Sequence, residues 1–548
     1  MISSDRKVDE SSSKWLKRDQ FAAACVLFIL ALFGWFLVLD SPPPSPDFYV
    51  YVRQSADMAH GIQTSEKFPP GYPLLLMPAS GLSILDAEKL ACAIGLVSFV
   101  LLGVSLIGIA RAIKLPIALI LVSSVLANRY VIPGVVQGNS HLPFYCAVAC
   151  CLWAVLMKRW YLAFAIAAGA LLLRYNGAIL PLLVSIAFIF AGEPGTRLRR
   201  TAISFVAVAA CLAPLILWMK IGTSIGVESY VDEIAARGQA GFGVIRYLPA
   251  TMLAGFLDSS GSERVASLEQ VSIGIVLVVL LAWLFLGSLG FMRIAADRSL
   301  AIWILGSIGW WVVVHMRFPD VGGHYFYSMQ IVWMLWLLVA VGAQPSKATN
   351  SVSAIAFMAP ILLLVVNEPT TIIISFSALV AIVVAVYGVS RSLRYAGFAG
   401  VCATIVAVGL ITAKQKIYDQ NFRPAVHDFL RWSEENKNVL VTPLFYDVLK
   451  LEGKDVSSLI PESALEGPDI SASLQALDIR YVAIGTWEYT ERDRKKVLES
   501  HEFFLGDRYK TELRPYEFLS SVFDGVGWRQ VGSFRNRKTE IRIYEKVQ

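Results

Sequence analysis

Apolar stretches long enough to cross a hydrocarbon core of about 30 Å recur from Phe21 to Ala413, and beyond Lys414 they stop. About thirteen can be counted, several of them short or broken, so most of the chain is expected to be a bundle of membrane-spanning helices. Composition agrees: 56% of the 548 residues are hydrophobic and only 16% charged, with a mean hydropathy of +0.59, which excludes an ordinary soluble multidomain enzyme. The chain reads as a polytopic α-helical membrane protein, with spans and loops over residues 1–413 and a small extracytoplasmic α/β domain over 414–548.

Basic residues orient the bundle, because Lys and Arg flanking short loops are retained in the cytoplasm. Arg6, Lys7, Lys14, Lys17 and Arg18 precede the first span and place the N-terminus inside. Counted alternately, Arg111/Lys114, Lys158/Arg159, Arg197/Arg199/Arg200, Arg293/Arg298, Lys347 and Arg391/Arg394 then fall on the same side. The net charge of +6 is therefore a topology signal and implies no nucleic-acid partner. An odd number of spans puts the C-terminal domain outside, in the periplasm or its equivalent, and the setting implied is a bacterial inner membrane. The first span is too long for a cleaved signal peptide and is expected to remain as an anchor. All seven cysteines lie in apolar segments, so neither a disulfide framework nor a cysteine zinc site is expected.

The first outer loop, residues 41–83, is built rather than slack. It opens on Ser41-Pro-Pro-Pro-Ser-Pro46, continues through an amphipathic stretch from Phe48 to His60 that reads as an interfacial helix, and turns at Phe68-Pro-Pro-Gly-Tyr-Pro73. The piece after it, Leu74 to Met77, is too short to span. The third span, opening on Leu115-Pro116, is short for a crossing. A hairpin from Tyr161 to Ala191 is interrupted by Arg174-Tyr-Asn-Gly177, and a charge at that depth is costly unless it faces a cavity or an interface. A long outer segment from Lys220 to Gln270 reads as a loop over a site, and Gly323-His-Tyr325 sits in another outer loop. In the tail, Pro424 to Glu435 is helical, and Val439 to Val441, Tyr481 to Ile484 and the alternating Glu540 to Tyr544 are strand-like.

Asp47 with Tyr51, Lys67-Phe-Pro-Pro70, Arg174-Tyr-Asn-Gly177 and Gly323-His-Tyr325, in this order and all on outer loops, resemble the GT-C superfamily of membrane glycosyltransferases. The likeness is particularly to bacterial relatives of protein O-mannosyltransferases and the lipid A aminoarabinose transferase, and it covers roughly the first 340 residues. It implies an EC 2.4-type enzyme that moves a sugar from a polyprenyl-phosphate donor to a cell-envelope glycan, lipid or protein. Asp47 would be the base on the acceptor hydroxyl. Lys67, Arg174 and Arg53 would bind the donor phosphate, and Tyr51, Tyr175, Asn176, His324 and Tyr325 are further candidate substrate contacts. Many relatives carry two adjacent acids where Phe48 here follows Asp47, so the sequence supports no metal site and no cofactor. The oligosaccharyltransferase branch fits less well, since its Trp-Trp-Asp-Tyr-Gly-type tail motif is missing and Trp310-Trp311 lies within a span.

The chemistry stands beside the resemblance. A lipid-phosphate sugar is already activated, so the protein has to orient the acceptor, remove its proton and stabilise the departing phosphate; direct attack would invert the anomeric centre. Each candidate also has a plainer role. Asp47 suits a helix N-cap after Pro46, Lys67 a snorkelling interface residue, and Arg174 a helix cap or a headgroup partner. His324 suits a packed histidine and Tyr325 an aromatic belt, and neither His60 nor His141 has metal-ligand spacing. Two other function classes share much of this pattern: a polysaccharide assembly or ligase factor, which would not need Asp47 as a base, and a secondary transporter, which would need paired broken spans in two halves.

Overall fold

The computed structural model describes residues 10–40, 46–61, 68–114, 117–128, 131–224, 273–295, 297–317, 325–342, 381, 391–419, 423–436, 438–441, 459–461, 479–485, 527–536 and 539–547. The membrane part opens with α1 (Glu10–Asp40), α2 (Pro46–Ala59), α3 (Gly71–Leu76) and α4 (Ile84–Ala112). It continues with α5 (Ala118–Leu126), α6 (His141–Leu156), α7 (Trp160–Leu173), α8 (Ile179–Phe190) and α9 (Arg197–Ser224). Further on come α10 (Ile273–Ile294), α11 (Arg298–Arg317), α12 (Tyr325–Gly342) and α13 (Arg391–Asp419).

Among the described residues, three stretches are long and apolar enough to cross a membrane, Leu16–Asp40, Leu85–Ala112 and Pro194–Ile221, with shorter apolar helices beside them. The expected count of about thirteen also draws on segments between 343 and 390 that lie outside the described residues. In α1 the buried residues Ala23, Leu27, Leu30 and Leu37 recur at helical spacing, while Phe28, Leu32, Trp35 and Phe36 on other faces are exposed. A helix apolar on every face, with one stripe packed on protein, is what a lipid-facing span requires.

The nine-residue α5 is the centre of the packing, with every residue buried. It begins three residues later than the Leu115-Pro116 opening expected of this span. No side chain of its own caps its start. Asp19, on α1 and 2% exposed, does so instead, accepting from the amides of Ala118 at 2.7 Å and Leu119 at 3.4 Å. A buried helix N-terminus needs such a partner, because its first amides have none within the helix.

The tail pairs a helix with a sheet. Helix α14 (Arg423–Glu435) precedes strands β1 (Val439–Val441), β2 (Leu459–Pro461), β3 (Tyr481–Gly485), β4 (Trp528–Asn536) and β5 (Thr539–Lys546). The sheet order is β2-β1-β3-β5-β4, with β1 parallel to β2 and β3, and β5 antiparallel to β3 and β4. A register shift between Gln530 and Gly532 marks a bulge in β4. The apolar faces of α14 and the central strands do not close on themselves alone. Ala425, Phe429, Val441, Tyr481 and Ile543 belong to one buried cluster with Phe48, Tyr49, Tyr51, Tyr72 and Leu76 of the first outer loop. The tail therefore packs at the end of the bundle where that loop lies.

Candidate functional site

Chain direction explains which segments meet. If α1 runs toward one end of the bundle, α4 returns, α5 goes out, α6 returns and α7 goes out again, so the α1–α4, α5–α6 and α7–α8 connections share that end. Hydrogen bonds join all three. Tyr51 of α2 shares a buried bond of 3.0 Å between its hydroxyl and Ser140 Oγ, at the start of α6. Arg174, between α7 and α8, donates from Nη1 to the same Ser140 Oγ at 3.2 Å and lies 3.3 Å from His141 Nε2. Arg111/Lys114 close α4, Lys158/Arg159 follow α6 and Arg197/Arg199/Arg200 open α9, which by the same alternation is the other end.

Local sequence builds each contributor. Pro69 and Pro70 keep the chain out of helix until Gly71, so the outer loop turns back and lays α3 beside the end of α7. Gly71 is required there. A Cβ on it would sit 2.5 Å from the Leu172 carbonyl oxygen, a backbone atom that cannot step aside. Gly138 holds a left-handed turn, φ +61°, with the Phe48 ring against it, and the turn delivers Asn139, Ser140 and His141. The Asn139 side chain then accepts from the His141 amide at 3.1 Å. At Arg174 the chain leaves α7 in an extended conformation, φ −153° and ψ 138°, and passes into a 3-10 turn, Tyr175–Ala178.

Aromatic rings wall this corner. The Tyr51 ring packs against Phe68 at 4.8 Å and Tyr72 at 4.9 Å between centroids, and Gln54 donates to the Phe68 carbonyl at 3.2 Å. Burial first, and the neighbouring Tyr51 second, hold the Tyr72 phenol well above its ordinary pKa, so the wall stays uncharged. An uncharged, water-poor wall strengthens the field of the Arg174 guanidinium toward an incoming anion.

The candidates read from sequence are placed as follows. Asp47 is the second residue of α2, inside its first turn rather than preceding it, and Tyr51 lies one turn further on, fully in the cluster. Arg174 shares Ser140 Oγ with Tyr51. Arg53 is on the exposed side of α2, two residues and so about 200° round from Tyr51. Tyr175 and Asn176 are half-buried in the turn after Arg174, where the Asn176 carbonyl accepts from Trp310 Nε1 of α11 at 3.2 Å. Tyr325 is the first residue of α12. Lys67, His324 and most of the expected loop over 220–270 lie outside the described residues. Among the described residues no group of three or more His, Cys, Asp or Glu is placed to hold a metal ion.

Ser140 and His141 were not foreseen as members of the site. The available signal was the polar run Gly138-Asn-Ser-His141 between two apolar stretches, on a connection that alternation puts on the same side as Arg174.

Comparison with known proteins bears on the fold. No protein-family model matches the chain, and no curated protein matches it significantly by sequence. Its structure does match solved ones. The crystal structure of ArnT from Cupriavidus metallidurans bound to undecaprenyl phosphate superposes with a TM-score of 0.56 at 15% identity, over 95% of this chain and 97% of that one. The apo form of the same protein gives 0.53 at 14% identity, with the same coverage. The fold of this chain therefore resembles that of ArnT over nearly its whole length.

Proposed function

We propose that the chain is a glycosyltransferase that moves a sugar from a polyprenyl-phosphate donor to an envelope glycan, lipid or protein acceptor at the outer face of the membrane. The observation that carries this reading is the convergence of Arg174 with the Tyr51-bearing outer loop at one end of an ArnT-like bundle. It supports a site where a cation and the loop containing Asp47 serve one substrate. ArnT binds undecaprenyl phosphate, which supports a lipid-phosphate donor here.

In this mechanism the acceptor hydroxyl oxygen bonds to the anomeric carbon while Asp47 takes its proton. The bond from that carbon to the phosphate oxygen breaks, and its electron pair leaves with the polyprenyl phosphate. Lys67 and Arg174 stabilise the phosphate as it departs, a task for which fixed cations in a water-poor site are suited. Attack opposite the leaving group inverts the anomeric centre. The N-terminus is cytoplasmic, residues 1–413 form the catalytic membrane domain, and residues 414–548 form an extracytoplasmic domain over the first outer loop, as the shared buried cluster favours.

Asp47→Asn tests the reading. The amide keeps the size of the carboxylate but is no comparable base, so transfer should fall by about two to four orders of magnitude while the protein stays folded and inserted. Near-normal transfer would remove the base assignment. Mass analysis of surface glycans and lipids with and without the protein should reveal one missing sugar, and an unchanged envelope would overturn the transferase reading.

A further inference from the structure

Arg174 carries a long side chain that loses rotamer freedom when it is fixed, and its extended backbone does not aim it as a helix would. Something else has to hold it. Two of its partners are consecutive residues, Ser140 and His141, and their backbone is itself set by the Asn139 side chain and the left-handed Gly138. Ser140 is 1% exposed and is tied in turn to Tyr51.

The chemistry of the pair is one-sided. A guanidinium has only donors, so at 3.3 Å from Arg174 Nη1 the His141 Nε2 has to present its lone pair, which makes the imidazole neutral with its proton on Nδ1. We infer that Ser140 and His141 are positioning residues for donor use, two adjacent acceptors that hold the Arg174 guanidinium where the donor phosphate arrives. This rests on the proposed role of Arg174 as part of the phosphate clamp.

The test is binding of undecaprenyl phosphate to the purified full chain in nanodiscs. At pH 7.5 His141→Leu should weaken binding by about tenfold, the loss of one hydrogen bond to a charged group. His141→Gln, which offers an amide oxygen in place of the imidazole nitrogen, should recover most of that loss. In an Arg174→Ala background His141→Leu should have no further effect, a result that a general loss of packing would not produce. Ser140→Ala, a smaller change, should weaken binding in the same direction and guards against misfolding of the leucine variant.

Wild-type affinity for His141→Leu would overturn this inference and leave the clamp standing, provided Arg174→Ala itself binds more weakly. Wild-type affinity for Arg174→Ala would overturn the clamp and the inference together.

Discussion

Asp19 and Arg174 are charged side chains set into the same helical body, near opposite ends of α5, and they differ in what they bond. Asp19 is bonded to backbone alone: its carboxylate holds the Ala118 and Leu119 amides, which no other group in α5 could satisfy. Arg174 bonds to side chains of a different connection, Ser140 and His141, the first of them held in turn by Tyr51. A buried charge tied to peptide groups supports the fold, whereas the role proposed for Arg174 is in the site.

The largest effect should come from breaking the first of these. Asp19→Leu strips the partner from two buried amides, and should cost about 2–4 kcal/mol of stability, seen as a lower thermal midpoint of the detergent-solubilised protein. The fraction that remains folded should bind undecaprenyl phosphate as the wild type does. An unchanged midpoint would show that α5 does not depend on this cap.

Arg174→Ala should behave in the opposite way. Donor use should fall by at least about tenfold, roughly 1.4 kcal/mol, with little change in the thermal midpoint. A variant that melts early but keeps full activity at limiting donor would place Arg174 with Asp19, as a structural charge.

The smallest effect lies in the tail, where Glu545 accepts from Arg480 at 3.0 Å and Arg529 at 3.5 Å across the β3–β5–β4 edge. The Arg480 hydrogen bonds, ahead of every other influence, hold the Glu545 carboxyl below its ordinary value. A depressed carboxylate adds stability above its unfolded pKa, and that contribution is lost as the pH falls through the folded value. Glu545→Gln should therefore melt slightly below the wild type at pH 7 and together with it at pH 3. A gap that persisted at pH 3 would mean that the glutamate acts through packing and not through charge.

Much of the local architecture was legible in the residues. Helix α2, the break of the α7–α8 hairpin at Arg174 and the places of β1, β3 and β5 follow from apolar period and alternation, which are properties of neighbours along the chain, whereas α3 starts at Gly71 inside the turn expected over Phe68–Pro73. The same helical period puts Tyr51 and Arg53 on opposite faces of α2, so a strict reading of it would have separated the buried tyrosine from the exposed arginine. The short third span was also readable, though not its dependence on a carboxylate 99 residues earlier.

What periodicity does not carry is which helices become neighbours. Tyr51 and Ser140 are 89 residues apart, and Arg174 and Ser140 are 34 apart, and no local propensity links such pairs. The alternation of basic loops determined that these three connections lie at one end of the bundle, because charge asymmetry acts on each loop separately. Only packing decided that they touch: the close approach at Gly71, the left-handed turn at Gly138 and the wholly buried α5 bring Ser140 and His141 under the guanidinium, and side-chain volume and backbone contact are settled between helices rather than along them.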